Sequence, residues 1–536
     1  MSACRHVDGR RSAGSRPAWG GQGRVCTFFA LHDAKCLCVI GLTQSRRRHF
    51  APYHRRGVTG EGAVMDTIID FLNTIFWGYV LIYGLLAVGI YFTVRLRLVQ
   101  IIHFPEMIRS VMGASESDHA GITPFQALCT SLASRVGTGN IAGVAVALYL
   151  GGPGAIFWMW IVAGLGMATA FAESTLAQLY KIKDEEGHYR GGPAFYIARG
   201  LKAPWAGAVF SVCLILSFGL VFNAVQANSI ADAMEGAFGM PKLTSGMILA
   251  AMTGVIIFGG IATIARVAEI VVPFMAVGYL GVALFAVFMN LSEVPAVFGL
   301  IFESAFGFGS AAGGVAGSVA AAMLNGVKRG LFSNEAGMGS APNIAAVATP
   351  DPHHPVSQGF VQSLGVFIDT ILICTATALL ILLSGALVPG SGLTGTQLTQ
   401  AAMSHHIGWV GPYFVAVAIF FFAFTSIIGN YSYAENALVY LGVGGRSGRA
   451  VLRLAVLAMV VWGAYESVAT VFNAADASMG LMATVNLIAI VLLSGLVARL
   501  TRDYLEQRRA GKKPRFTASS MPDLAGQIDP DIWSRP

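Results

Sequence analysis

The chain has 536 residues, of which 55% are hydrophobic and 12% charged, against about 25% charged in a soluble domain. Its mean hydropathy is +0.64. The apolar runs are long and continuous, which excludes a soluble enzyme or binding module and an outer-membrane barrel with its alternating ten-residue segments. The net charge of +7 is a property of the head: residues 1–64 hold eleven of the 35 Lys and Arg but three of the 28 Asp and Glu, and the remainder is nearly balanced.

That head is rich in Arg and Gly and carries Cys4, Cys26, Cys36 and Cys38. It has little periodicity, so it is expected to be a disordered basic extension. Its run "CTFFALHDAKCLCVIGL" includes Asp33 and Lys35 and makes a poor signal peptide. Met65 opens the well-formed "MDTIIDFLNTIFWGYV", and translation is expected to start there; a nucleic-acid-binding arm is the lesser reading of the head.

Eleven candidate spans follow, at 68–91, 124–150, 154–180, 204–227, 243–263, 266–290, 304–326, 357–385, 409–440, 454–472 and 477–499. They predict an all-α polytopic membrane protein with its transmembrane domain at 65–500. The connectors divide unequally. Arg95, Arg97, Arg109, Lys181, Arg266, Lys328, Arg446 and Arg502 fall on one side, with only Lys242 on the other. Positive charge marks the cytoplasm, which places the N terminus outside and the C terminus inside. "VQIIHFPEMIRSVMG" reads as an amphipathic helix on the cytoplasmic surface, and 501–536 as a disordered cytoplasmic tail.

The second span is interrupted by "SRVGTGNIAG", residues 134–143. Gly137 and Gly139 each weaken a helix by about 1 kcal/mol, and irregular backbone at membrane depth is tolerated only inside protein or beside a watery cavity. Freed N–H groups there can hold a carboxylate, and freed carbonyls a cation. Thr138 and Asn140 add polar contacts. The structural alternative is a packing face, since Gly139 and Gly143 have G-x-x-x-G spacing. The seventh span carries a second glycine cluster, "AFGFGSAAGGVAG" at 305–317, with Gly307, Gly309, Gly313 and Gly314. Two interrupted spans five apart point to a transporter built from inverted repeats, spans 2–6 and 7–11.

Other polar groups lie inside spans. Asn223 and Gln226 share a face. Thr425 and Ser426 sit side by side, and adjacent hydroxyls suit sodium; helix-to-helix hydrogen bonding is the alternative for each. Arg135, Glu173, Asp369 and Glu435 are ionisable at or near membrane depth and so are functional candidates. A structural pairing of Arg135 with one of these acids is equally open. His353-His354 and His405-His406 lie in connectors without metal-ligand partners. No H-E-x-x-H, G-x-S-x-G or Cys-x-x-Cys occurs, so no enzyme and no cofactor are expected.

"GGPGAIFWMWIVAGLGMATAF" at 151–171 closely resembles the signature of the alanine/glycine:cation symporters, also called sodium:alanine symporters. "RVGTGNIAGVA", "YRGGPAFYI", "VQANSIA" and "NGVKRGLFSNEAGMGSAPN" resemble the same family. The resemblance implies a LeuT-like fold of five-plus-five inverted repeats with two broken helices in the plasma (bacterial inner) membrane. It implies uptake of a small neutral amino acid, alanine or also glycine or serine, coupled to sodium. Residue by residue, it makes Gly137, Thr138, Gly139 and Asn140 the first unwound segment and Phe306, Gly307, Gly309 and Ser310 the second. Thr425 and Ser426 would then hold sodium with the carbonyls of Ala133 and Val136. Asn223 and Gln226 are placed at the substrate by position alone. "GVKRGLFSNEAGMGSAP", with Lys328, Arg329 and Glu335, is expected to form part of a gate on the cytoplasmic side. Proton coupling through Asp369 or Glu435, a different substrate, and a passive channel are the competing readings. Sodium, the amino acid and the bilayer are the expected partners, with no nucleic acid and no obligate protein partner.

Overall fold

A computed structural model describes residues 69–112, 120–307, 315–388 and 391–534. The expectations for the head, and those for Gly309 and Ser310, lie outside the described residues. The rest is helical apart from a two-residue hairpin, Ile182–Lys183 with Tyr189–Arg190. In chain order the helices are α1 Ile69–Arg95, α2 Phe104–Met112, α3 Pro124–Arg135, α4 Gly139–Gly151, α5 Gly154–Leu179 and α6 Pro204–Phe238. Then come α7 Lys242–Ile257, α8 Gly260–Met289, α9 Val294–Phe306, α10 Val315–Asn334, α11 Pro342–Val347 and α12 Pro355–Leu383. The series closes with α13 Gly395–Ile407, α14 Gly411–Tyr440, α15 Arg446–Tyr465, α16 Val468–Leu492 and α17 Ser494–Arg509.

Eight helical stretches among the described residues are long and apolar enough to cross a membrane. Exposure shows how they are used. α8 turns Ile270, Phe274, Val277 and Phe288 outward, Phe274 at 81% exposed. Such a face is stable against hydrocarbon and not against water. By contrast α5 buries most of its length. It packs along α10 and α12, while α6 packs along α14 and α15, and α7 along α15. The interrupted pair α3 and α4 runs between these two groups. α3 starts where Thr123 and Gln126 form a reciprocal capping box with Pro124 in the first turn.

Connectors alternate between two ends. One end, here the basic end, gathers α2, the hairpin, the 348–354 loop and α17. Trp77, α9 and α13 lie at the other.

Two expectations are corrected. The seventh span is not 304–326: α9 closes at Phe306, where Gly307 takes a left-handed cap at φ 73°, and α10 is a separate helix. The tail is ordered rather than disordered as far as residue 534, because it has apolar groups to bury. Phe516, Leu524, Ile528, Ile532 and Trp533 are all buried. The Trp533 indole donates to the Leu179 carbonyl at the end of α5, at 3.1 Å.

Candidate substrate and cation site

α3 stops at Val136, whose backbone (φ −81°, ψ 81°) leaves the helix. The freed donors are taken by side chains. The Gly137 N–H donates to Asn140 Oδ1 at 3.2 Å. The Thr138 N–H and hydroxyl both donate to Gln226 Oε1, at 2.9 and 2.5 Å. Asn140 Nδ2 reaches the Asp369 carbonyl at 2.9 Å and the Ser333 hydroxyl at 3.0 Å. Thr377 returns a bond to the Asn140 carbonyl at 2.7 Å. Asn140 therefore joins the break to α10 and α12. Gly137 is required by crowding: a Cβ there would lie 2.3 Å from Ser426 Oγ and 2.7 Å from Gln226 Oε1. Around the break, Gly139–Gly143, Ile215–Val221 and Phe367–Cys374 are wound in wide π-type turns, a feature that concentrates at functional sites.

The four residues expected at sodium are split between α14 and the end of α3. The Ser426 hydroxyl donates to the Ala133 carbonyl at 2.8 Å and also contacts Phe422 O at 3.0 Å. Thr425 donates to Phe422 O at 2.9 Å. Val136 is the first residue past the end of α3. The donor set is all oxygen and buried, which fits a hard monovalent cation. Asn223 does not face Thr138. It bonds Gly219 O at 2.9 Å and accepts from Asn430 at 3.1 Å.

Of the residues expected at the second interruption, Phe306 and Gly307 are described, and they close α9. Phe306 is 43% exposed and packs on Phe157 at 5.0 Å between ring centroids. The chain breaks between α10 and α11, at 335–341, with Glu335, Gly337 and Gly339 at φ 55°, 88° and 83°. Polar partners hold this break. Glu335 accepts from Ser134 at 3.0 Å and from Ser340 at 2.5 Å. Glu173 accepts from the Gly337 N–H at 3.2 Å and from Asn486 at 2.8 Å. This break is polar in sequence and resembles a connector, unlike the apolar glycine run at 305–317.

Arg135 is buried and donates to the Gln362 carbonyl at 3.1 Å, against Gly365, where a Cβ would lie 2.6 Å from Nη1. Among the described residues it forms no ion pair with any acid. Asp369 accepts from Ser333 at 3.1 Å and from Thr370. Glu435 lies toward the basic end, 3.5 Å from Arg449. Lys328 and Arg329 are not in a cytoplasmic connector: they are inside α10, toward the Trp77 end, at 2.6 and 2.7 Å from Asp476 of α16. Trp77 donates to the Asp476 carbonyl at 3.1 Å.

Sequence reasoning missed Asp476, which fell between two expected spans, and the aromatic ladder at the break. Phe218, Phe222, Phe332 and Phe472 stack at centroid distances of 4.4, 4.6 and 5.6 Å. Arg329 lies over the last two rings. Phe332 stands 3.0 Å from where a Gly139 Cβ would be.

Apolar helices interrupted at depth, with hydroxyl, amide and carbonyl groups turned into the gap, define a polytopic membrane transporter. The chain belongs to the sodium:alanine symporter family, whose model matches residues 62–518. A probable sodium/glutamine symporter of Bacillus subtilis is 50% identical over 454 residues, covering 84% of this chain and 93% of that one. An amino-acid carrier protein of the same organism is 47% identical over 459 residues, 86% and 96% of the two chains. A sodium/alanine symporter of Methanococcus maripaludis is 40% identical over 452 residues, 83% and 98%.

Proposed function

We propose that the protein is a sodium-driven symporter of a small neutral amino acid, alanine first and glycine or serine by extension, working by alternating access. The observation that carries this is the pair of hydrogen bonds from Thr138 to Gln226 Oε1. A backbone N–H and a hydroxyl converge on one acceptor oxygen, the position a substrate carboxylate takes. Gln226 then turns its amide N–H group to that carboxylate. The substrate ammonium is met by carbonyls and amides of the breaks, and the Phe222–Phe332 ring pair closes over the side chain. A closed ring stack beside Gly139 favours alanine over the larger glutamine for which one relative is named.

Sodium is held by the Ala133 and Val136 carbonyls with the Thr425 and Ser426 hydroxyls. Coupling follows if sodium binds one state better than the other, and the Ser426–Ala133 contact supplies the means, because it spans α14 and the broken helix. The packing of α5 on α12, α6 on α14 and α7 on α15 supports two repeats of five, α3/α4 to α8 and α10/α11 with α12, α14, α15 and α16, with α1 peripheral and α13 an insertion. The charge bias supports a cytoplasmic basic end. Lys328 and Arg329 with Asp476 then close the outer path, and Glu335 with Ser134 and Ser340 the inner one.

The test is equilibrium binding of labelled L-alanine with and without sodium. Wild type binds in sodium, and Gln226→Glu, which keeps an acceptor for Thr138 but places a second anion there, binds at least several-fold more weakly. Binding indifferent to both sodium and the substitution overturns the reading.

A further inference from the structure

At the basic end, where α1 gives way to the loop before α2 and α17 runs alongside, Arg95, Arg97, Arg502 and Arg509 line one cavity of ≈ 290 Å³ with His103 and Glu506. Four guanidinium groups face a single carboxylate. None of the four makes a side-chain hydrogen bond or ion pair among the described residues; Arg95 lies against the Tyr91 ring at 5.9 Å. Their neighbours behave differently. Arg109 and Arg508 hold Glu106 at 2.8 and 3.0 Å, and Arg499 holds Asp523 at 2.7 Å. Other arginines without such partners among the described residues, Arg199 and Arg446 among them, do not line this cavity; the four named here share it. Burial, then the charge of Arg509, push the His103 imidazole below its ordinary range, as a positive cavity would.

The backbone is arranged for this. Arg97 and Leu98 are consecutive non-glycine residues at φ 54° and 57°, a conformation that persists only where surroundings impose it. The turn sets Arg95 and Arg97 at the cavity and leaves Leu98, Ile101 and Ile102 exposed beside it. A strongly cationic cavity with an apolar rim, at the membrane end of a helix, matches one chemistry: a phosphate head carried on acyl chains. A soluble anion would gain nothing from the rim.

We propose that this cavity binds the headgroup of an anionic phospholipid, the guanidinium groups taking the phosphate and the Leu98–Ile102 rim taking the chains. The inference rests on the cytoplasmic placement of the basic end proposed above, where anionic lipid is presented to basic pockets between helices. Bidentate guanidinium bonding suits phosphate. Bound there, the lipid ties the inner end of α1 to α17, the helix that leads into the ordered tail.

The experiment uses the full chain in nanodiscs of phosphatidylethanolamine, with or without phosphatidylglycerol, and reads the lipid retained by native mass spectrometry and the thermal midpoint. Wild type is expected to retain phosphatidylglycerol and melt several degrees higher with it. Arg95→Gln/Arg97→Gln/Arg502→Gln/Arg509→Gln loses both effects. Arg97→Gln/Arg502→Gln serves if the quadruple variant does not insert, and Arg199→Gln/Lys202→Gln, at the same end outside the cavity, keeps them. Equal retention by wild type and cavity variants overturns the proposal. So does displacement of the lipid by millimolar inorganic phosphate, which would mark a soluble-anion site. Neither readout depends on sodium-driven uptake, so failure here leaves the symport reading standing.

Discussion

Ser426 Oγ lies 2.8 Å from the Ala133 carbonyl, and this one contact joins the long helix α14 to the last turn before the break in α3–α4. The same hydroxyl stands 2.3 Å from where a Gly137 Cβ would be, with Gln226 Oε1 at 2.7 Å from that point. The proposed cation and substrate positions thus share a wall one residue thick. A methyl group there cannot be accommodated without moving both. Gly137→Ala is expected to abolish sodium-stimulated uptake while the protein still inserts and purifies. Gly164→Ala, with nothing within 4 Å of its Cβ position, transports normally. Normal uptake by Gly137→Ala would show that the two positions are not packed as described.

Gln226→Glu tests recognition. Glutamate can still accept from Thr138, and burying its charge is expected to cost some thermal stability without preventing insertion. The added anion opposes the substrate carboxylate, and KM for alanine is expected to rise about tenfold or more, roughly 1.4 kcal/mol or above. Uptake kinetics at saturating sodium read this directly.

Asp476 is the counterion for both Lys328 and Arg329, and all three are largely buried. Removing the acid leaves two cations without a partner at depth, a loss of about 3–5 kcal/mol. Asp476→Asn is expected to lower the thermal midpoint markedly, and Asp476→Glu less so. A midpoint unchanged in Asp476→Asn would show that the ion pair contributes nothing to stability.

Acid is expected to loosen the basic end through His354. This side chain is buried, accepts from the Val356 N–H through Nδ1 at 3.1 Å and faces Asp503 with Nε2 at 3.1 Å. Burial holds it below its ordinary 6.5, with Asp503 acting the other way. The unfolded chain therefore takes up the proton first, so this stability is present above about pH 6.5 and lost as pH falls below it. Asp503 is held below its ordinary range, mainly by the bond from His354, and adds a loss of the same sign at lower pH. Thermal midpoints of wild type should fall between about pH 7 and pH 5. Those of His354→Asn, which can cap α12 without titrating, should fall less. Equal slopes would contradict this assignment.

The helical, membrane-spanning character was legible because hydropathy and length need no partner. The first break was legible because Gly137, Gly139 and Asn140 are out of place in an apolar run. The second was not: Glu335–Ser340 is polar enough to read as a loop, and its place within the protein shows in the packing of Ser134 on Glu335 and of Glu173 and Asn486 on Gly337. Pairings across distant helices, such as Arg329 with Asp476, depend on register that periodicity does not carry. The order of the tail is not legible because its apolar residues are scattered at no helical spacing; Phe516 and Trp533 pack on each other and on His354 and His353 from separate parts of the chain.

The central claim is sodium-coupled uptake, and the most direct measurement is accumulation of labelled L-alanine in proteoliposomes under an inward sodium gradient, beside equal potassium and proton gradients. Transient accumulation above equilibrium is expected with sodium alone. Accumulation with protons alone, or equilibration that no gradient drives uphill, would contradict it.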